Sequence, residues 1–280
     1  SAGVYGSFLE ISATMVAQFM ILGGLLQVFG GQQFILNIAV RLGRNLRAGP
    51  AQAAVISSCM FGSISGSAVA NVVGTGTFTI PLMKSIGIRP EFAGAVEAAA
   101  STGGIFMPPV MGVAAFIMSG ITGIPYAQIA FAALFPALLY YFSISASVHL
   151  QAVKIGIPKG MGKAEIKELG KIVFDGFHLL IPMILLVVLL IMDYTPGLCA
   201  SAASVALILV AAVREFITSP ASIFNGTFWK RLRDGFVEGA RATAPVAVSI
   251  ATLGIVAQAL IITGVPYKMV FLALDIGGES

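Results

Sequence analysis

Long apolar runs separated by short polar turns set the pattern of this chain. Six runs, at roughly 7–29, 92–119, 126–150, 173–192, 196–213 and 242–264, are long enough to cross a bilayer as helices. About 20 helical residues span the roughly 30 Å hydrocarbon core. Turns such as Gly120-Ile121-Thr122-Gly123-Ile124-Pro125 and Asp193-Tyr194-Thr195-Pro196-Gly197 separate neighbouring runs. Segments 32–47 and 224–240 mix apolar with basic residues, which predicts amphipathic helices lying along the membrane surface. The polar stretch 151–172 carries five lysines, with a short surface helix expected from Lys163 onward.

Segment 50–84 departs from this pattern. It is apolar, but its middle reads Gly62-Ser63-Ile64-Ser65-Gly66-Ser67, followed by Asn71, Gly74 and Gly76. It either crosses as one helix rich in small residues or enters the membrane and returns as a hairpin with its tip at 62–67. The basic residues discriminate, because cytoplasmic loops are enriched in Lys and Arg. With a hairpin and six single crossings, 15 of the 16 Lys and Arg share one face, and only Lys268 lies opposite. With a full crossing, Arg41, Arg44 and Arg47 join Lys268, which makes 12 against 4. The hairpin fits better. Residues 50–61 rise only about 18 Å as a helix, which takes the tip past the midplane and not through the bilayer.

Composition agrees with a membrane solvent. Hydrophobic residues make up 58% of the 280 and charged residues 10%, against about 25% charged in a typical soluble domain. An all-α, multi-pass membrane protein is expected. The net charge of +4 carries no argument for nucleic acid, since in such a protein the placement of basic residues outweighs their sum. Cys59 and Cys199 lie in apolar context and read as small buried residues rather than a disulfide or metal pair. His149 and His178 are expected at the interface. No charged n-region with a cleavage site opens the chain, and both ends read as cuts through a longer protein.

Irregular backbone at membrane depth needs protein or a wet cavity around it. A Gly/Ser tip supplies carbonyls and hydroxyls, the neutral oxygens that a hard cation requires, and broken helices bring helix termini to the same point. The return helix begins near Ser67 to Asn71, and its N-terminus suits a carboxylate. A second break follows at Thr102-Gly103-Gly104-Ile105-Phe106-Met107-Pro108-Pro109. Pro108 and Pro109 lack N–H groups, so carbonyls around Gly104 and Ile105 are expected to lose their donors. Each feature has a plainer reading: Gly62-x-x-x-Gly66 is also a helix-packing motif, and a Pro pair is also a kink. Two broken elements in succession favour a binding site. Glu97, inside the helix before the break, is either a functional intramembrane carboxylate or an interfacial cap.

The run Gly62-Ser63-Ile64-Ser65-Gly66-Ser67-Ala68-Val69-Ala70-Asn71, continuing through Gly74-Thr75-Gly76 to Pro81, resembles the first hairpin of the large membrane subunit of TRAP transporters (tripartite ATP-independent periplasmic transporters). Glu91-Phe92-Ala93-Gly94-Ala95-Val96-Glu97 and Ser101-Thr102-Gly103-Gly104, leading to Met107-Pro108-Pro109-Val110-Met111-Gly112, extend the resemblance. In detail it is most similar to the branch that works with TAXI-type binding proteins. The resemblance implies an inverted-repeat, elevator-type permease that takes up small organic anions on a Na+ gradient. It implies a periplasmic TAXI-type binding protein as partner, a small membrane subunit fused upstream, and the inner membrane of a bacterium or archaeon as location. Na+ is then the coupling ion, with no other cofactor. Ser63, Ser65, Gly66, Ser67 and Asn71 at the tip, with Thr102, Gly104, Met107 and Pro108 at the break, become the candidate ion and substrate residues. Ser65, Ser67, Gly104 and Pro108 are the candidate Na+ contacts.

On this reading 1–150 is the first repeat, with the hairpin at about 50–84 and the broken helix at about 92–119. A cytoplasmic connector follows at 151–172, two connecting helices at 173–213, and the start of the second repeat at 214–280, without its hairpin. Segments 7–29 and 242–264 echo each other faintly, as Ser12-Ala13-Thr14 and Ala242-Thr243-Ala244. A different hairpin-bearing carrier of dicarboxylates or other anions is the alternative. An intramembrane serine enzyme is remote, because Gly-x-Ser-x-Gly would need Ser where Ile64 stands and no deep histidine offers a base.

Overall fold

The computed structural model of the chain describes residues 9–10, 12–157, 159–160, 169–218, 226–265, 267–269 and 271. The described residues are almost entirely helical. A π-helical turn, Ser12–Val16, leads into α1 (Ala17–Val28). Gly30, at φ 93°, turns the chain into α2 (Gly31–Gly43), whose axis lies 71° from the preceding helix. Phe34, Ile35, Leu36 and Ala39 bury one face of α2, while Arg41 sits in its last turn, where a cation suits the helix dipole.

Segment 50–84 is two helices, α3 (Gly49–Ser65) and α4 (Ala68–Ser85). Gly66 adopts the left-handed conformation that ends α3, and its N–H bonds back to the Gly62 carbonyl. Ser67 is extended and caps α4, its hydroxyl accepting from the Ala70 N–H at 3.3 Å. The turn is therefore two residues long, and the helices run antiparallel: Ser58 of α3 faces Thr75 of α4 at 3.2 Å. Both outer ends of the hairpin lie at the same end of the bundle. There Arg47 pairs with Lys159 as an antiparallel bridge, and the Gly49 N–H bonds to the Gly160 carbonyl at 3.1 Å.

The next helix, α5 (Pro90–Gly103), gives way to a 3-10 turn at Gly104–Phe106 and extended backbone to Gly112, before α6 (Val113–Thr122) resumes. The ladder fails where expected, because Pro108 and Pro109 have no N–H to donate. Then come α7 (Tyr126–Lys154), α8 (Leu169–Ile191), α9 (Pro196–Thr218) and α10 (Thr227–Thr263).

Two apolar cores organise the bundle. One gathers Phe19, Leu25, Phe116, Leu186, Cys199 and Leu207 between α1, α6, α8 and α9. The other joins the hairpin, α5 and α7 through small residues, Ala51, Ala54, Ala93 and Ala100, with Met83, Tyr141 and Val148. Small side chains let helix backbones approach closely where water supplies no driving force. Outward-facing positions are also apolar: Phe131 is 80% exposed and Ile262 75%. That surface suits lipid.

Some expectations need correction. Thr227–Thr263, which takes in most of segments 224–240 and 242–264, is one helix of 37 residues rather than a surface helix followed by a span. Gly235 and Gly239 do not break it. They pack against α1, where a Cβ on Gly24 would stand 2.5 Å from the Gly235 carbonyl oxygen. Gly235 meets Leu25 and Gly239 meets Ile21, so α1 and α10 run antiparallel. Of the six expected crossings, α7, α9 and α10 are long and apolar enough among the described residues, and α1 with α2 makes a fourth if the bent pair counts as one. The apolar part of α8, His178–Ile191, is shorter. The helix expected from Lys163 lies mostly outside the described residues. His178 is buried against Arg214 at 2.9 Å, whereas His149 is exposed.

Candidate functional site

The hairpin tip meets the break between α5 and α6. Gly62 and Gly104 touch backbone to backbone, since a Cβ on Gly62 would lie 2.4 Å from the Gly104 Cα. The Ser63 carbonyl accepts the Val110 N–H at 3.0 Å. Gly66 abuts the Met111 carbonyl so closely that a Cβ would stand 2.1 Å from its oxygen. Met111 itself adopts φ 52°, a left-handed conformation that non-glycine residues rarely take. The small-residue packing reading and the site reading thus describe the same contact.

Asn71 is the hub behind the tip. It is fully buried, and its Nδ2 donates to the Ser58 carbonyl at 2.8 Å and reaches the Ser101 carbonyl at 3.5 Å. One amide therefore ties α4 to both α3 and α5. Ser65 is buried, its hydroxyl 3.5 Å from both the N–H and the carbonyl of Ser67, so it is weakly committed. The Ser63 hydroxyl is taken by its own helix, at the Met60 carbonyl.

The break is less open than the proline argument implied. The Gly104 carbonyl accepts the Met107 N–H at 3.4 Å, and the Ile105 carbonyl accepts the Gly112 N–H. The carbonyls at the end of α5 are met from α7: the Tyr140 hydroxyl donates to Ala99 and the Tyr141 hydroxyl to Ala100, each at 2.9 Å. Tyr126, in the first turn of α7, donates to Pro109 at 2.9 Å and also contacts the Val110 carbonyl. Three tyrosines thus hold the broken segment. Nothing in the sequence pattern of an apolar helix marks them for that role. Pro108 is half-buried at the break, and Met107 packs against the hairpin–α5 core. Thr102 stands in the last turn before the break. It is exposed and bonds back to Ala98 at 2.8 Å.

Glu97 is fully buried, so the interfacial-cap reading fails. Its carboxylate receives hydroxyls from both hairpin helices, Ser58, Thr75 and Thr79, and from Ser101 on its own helix. Gly76 gives it room, with a Cβ there only 3.2 Å from Glu97 Cγ. The spacings Thr75–Thr79 and Glu97–Ser101, one helical turn each, could have marked this cluster in the sequence.

Beyond the tip lies an open cavity of about 790 Å3 between α4, α6 and α10, lined by Ser67, Val73, Ile117, Glu238, Arg241 and Ser249 among others. Arg241 and Glu238 were missed at the sequence level, because Glu238 read as part of a surface helix and Arg241 as the junction after it. Only the unbroken course of α10 brings them to the hairpin.

A sequence profile for the family described as "Tripartite ATP-independent periplasmic transporter, DctM component" matches residues 4–280. The chain belongs to the DctM family. That family is one of transporters, which answers the enzyme alternative. Similar proteins include the uncharacterized protein y4mL of Sinorhizobium fredii, 28% identical over 255 residues, covering 91% of this chain and 57% of that protein. The C4-dicarboxylate TRAP transporter large permease protein DctM of Vibrio cholerae is 27% identical over 157 residues, covering 56% of this chain and 34% of its own length. The isethionate TRAP transporter permease protein DctMQ of Oleidesulfovibrio alaskensis is 35% identical over 96 residues, covering 34% and 15%. This DctM-family chain spans at most 57% of each of these relatives.

Proposed function

We propose that this chain is the ion-binding half of a TRAP-type permease that couples Na+ to the uptake of small organic anions. The observation that carries the reading is the meeting of two broken elements: the two-residue tip at Gly66-Ser67 packs against the irregular backbone 104–112. Such a junction places hydroxyls, carbonyls and helix termini together away from regular structure, the arrangement that coordinates alkali cations in broken-helix transporters. Ser65 and Ser67 supply hydroxyls, and Gly104 and Pro108 supply carbonyls. Ser63, Gly66, Asn71 and Met107 position them. Thr102 drops out, being exposed and bonded to its own helix.

The neighbouring cavity is the place for the anion. Arg241 offers a planar donor fork for a carboxylate or sulfonate, and Ser67 begins the helix whose N-terminus faces the same space. Relatives named for C4-dicarboxylate, isethionate and sialic acid carry anions of this kind. The wider reading is an elevator built of inverted repeats, with 1–150 as one repeat and 214–280 opening the second. The antiparallel course of α1 and α10 supports it. The Arg47–Lys159 bridge supports a re-entrant hairpin, since a full crossing at 50–84 would put these residues on opposite faces. A TAXI-type periplasmic binding protein and a fused small subunit complete the system in the inner membrane.

The test is uptake by the full-length transporter in proteoliposomes. Uptake requires an inward Na+ gradient, and Ser65→Ala and Ser67→Ala raise the half-saturating Na+ concentration severalfold, while Thr102→Ala leaves it unchanged. Equal uptake in choline removes the coupling reading.

A further inference from the structure

The open cavity beside the hairpin tip has mostly apolar walls, with Val69 and Val73 from α4, Val113 and Ile117 from α6, and Ile250 and Leu253 from α10. Among its lining residues Glu238 and Arg241 are the charged ones. They stand at i and i+3 on α10, so they share one face of the helix with Cβ atoms about 5–6 Å apart. Glu followed by a cation one turn later often closes into an ion pair. Among the described residues the ion pairs on α10 are Arg231 with Glu215 and Arg233 with Asp234, so Glu238 and Arg241 are joined neither to each other nor to those side chains. Both are exposed, and both are open to the cavity.

Arg241 alone would suit any carboxylate. Glu238 narrows the choice. A ligand carboxylate seated on the Arg241 fork meets a second carboxylate one turn away. Like charges at that spacing repel, and apolar walls strengthen the repulsion by excluding water. The α4 N-terminus at Ser67 contributes only about half a positive charge against the full negative charge of Glu238. An ammonium group next to the ligand carboxylate removes the conflict, because the carboxylate pairs with Arg241 and the ammonium donates to Glu238. A second carboxylate on the ligand has no such place. It lies beside Glu238 or against the apolar wall, where it loses water without a counter-charge. Pro245 and Val246 also line the cavity, and they stand about 6 Å beyond Arg241 along the helix. That spacing suits an apolar side chain of Val or Leu size.

We propose that the cavity takes an α-amino carboxylate with an apolar side chain, and that Glu238 selects it by holding the ammonium group. This assignment rests on the reading of the cavity as the substrate site, and it narrows the substrate class within that reading. The ligand carboxylate is the anionic group already given to Arg241. Glu238 then acts as a specificity residue: it favours the amino acid and disfavours both the same skeleton without nitrogen and a dicarboxylate.

The experiment is binding of radiolabelled L-leucine to the full-length transporter in lipid nanodiscs, with unlabelled L-leucine, 4-methylpentanoate and succinate as competitors. 4-Methylpentanoate is leucine without its amino group. L-Leucine is expected to bind saturably and to compete at a concentration at least tenfold lower than either of the others, since a site built to bond a polar group rejects the analogue that lacks it. Glu238→Gln, a change of equal size at an exposed position, weakens L-leucine at least tenfold and leaves 4-methylpentanoate as good or better. The wild-type ranking needs no variant, so it stands as a test even if Glu238→Gln fails to fold. Absence of L-leucine binding, competition by 4-methylpentanoate or succinate as strong as by L-leucine, or an L-leucine affinity unmoved in Glu238→Gln each overturn the proposal. The same measurement in choline separates it from the Na+ reading. L-Leucine binding that is equal in choline supports the assignment and counts against coupling, whereas Na+-dependent binding led by succinate overturns the assignment and leaves coupling in place.

Discussion

Replacing Gly62 by Ala tests the contact on which the site rests. A Cβ at Gly62 would lie 2.4 Å from the Gly104 Cα and 2.9 Å from Asn71 Nδ2. Ordinary contact begins near 3.4 Å, so the hairpin must retreat from the break by about 1 Å. Overpacking of this kind costs about 1–3 kcal/mol. Displacing the Asn71 amide from the Ser58 carbonyl strands buried polar groups, which costs a further 1–3 kcal/mol or so. Helix propensity offsets about 1 kcal/mol, because Ala is the better helix former. The net expectation is a loss of about 1–5 kcal/mol, seen as a fall of several °C in the thermal midpoint of the purified full-length protein. Gly94→Ala is the matched control. It lies in α5 with nothing within 4 Å of its Cβ, so the change keeps or raises the midpoint. A Gly62→Ala midpoint equal to that of Gly94→Ala would refute the tight junction, and with it the site built there.

Arg241→Gln, which keeps length and hydrogen bonding but removes the charge, raises the substrate KM for uptake at least tenfold, as loss of a charge-assisted bond of about 1.5–3 kcal/mol requires. Its half-saturating Na+ concentration stays put, and an unchanged KM would separate the cavity from the anion. Single cysteines replacing Arg47 and Lys84 label from the same membrane face in the full transporter. Labelling from opposite faces contradicts the re-entrant hairpin.

The sequence alone made the membrane protein, the hairpin tip within 62–67, the proline break and the family legible. Each is written in local chemistry: apolar run length, glycine conformational freedom, a missing N–H. It also set the hairpin tip opposite the break, a meeting made by Gly62 with Gly104 and Gly66 with Met111, because hairpin and break follow each other closely along the chain. It put Thr102 at the break, where it stands, but did not set the direction of its hydroxyl, which turns back to the Ala98 carbonyl. It split α10 in two, reading Gly235 and Gly239 as part of a polar surface helix when their smallness serves packing against Gly24. The tyrosine supports from α7, the Arg241 side of the cavity and the hydroxyl shell of Glu97 were settled only by tertiary structure. Each brings together residues from helices far apart in the chain, and no local pattern encodes which faces of those helices meet. Glu97 shows the difference most sharply. Its chemistry was visible as a carboxylate in an apolar helix, but whether it reached water or was sealed among four hydroxyls depended on how α3 and α4 close over α5.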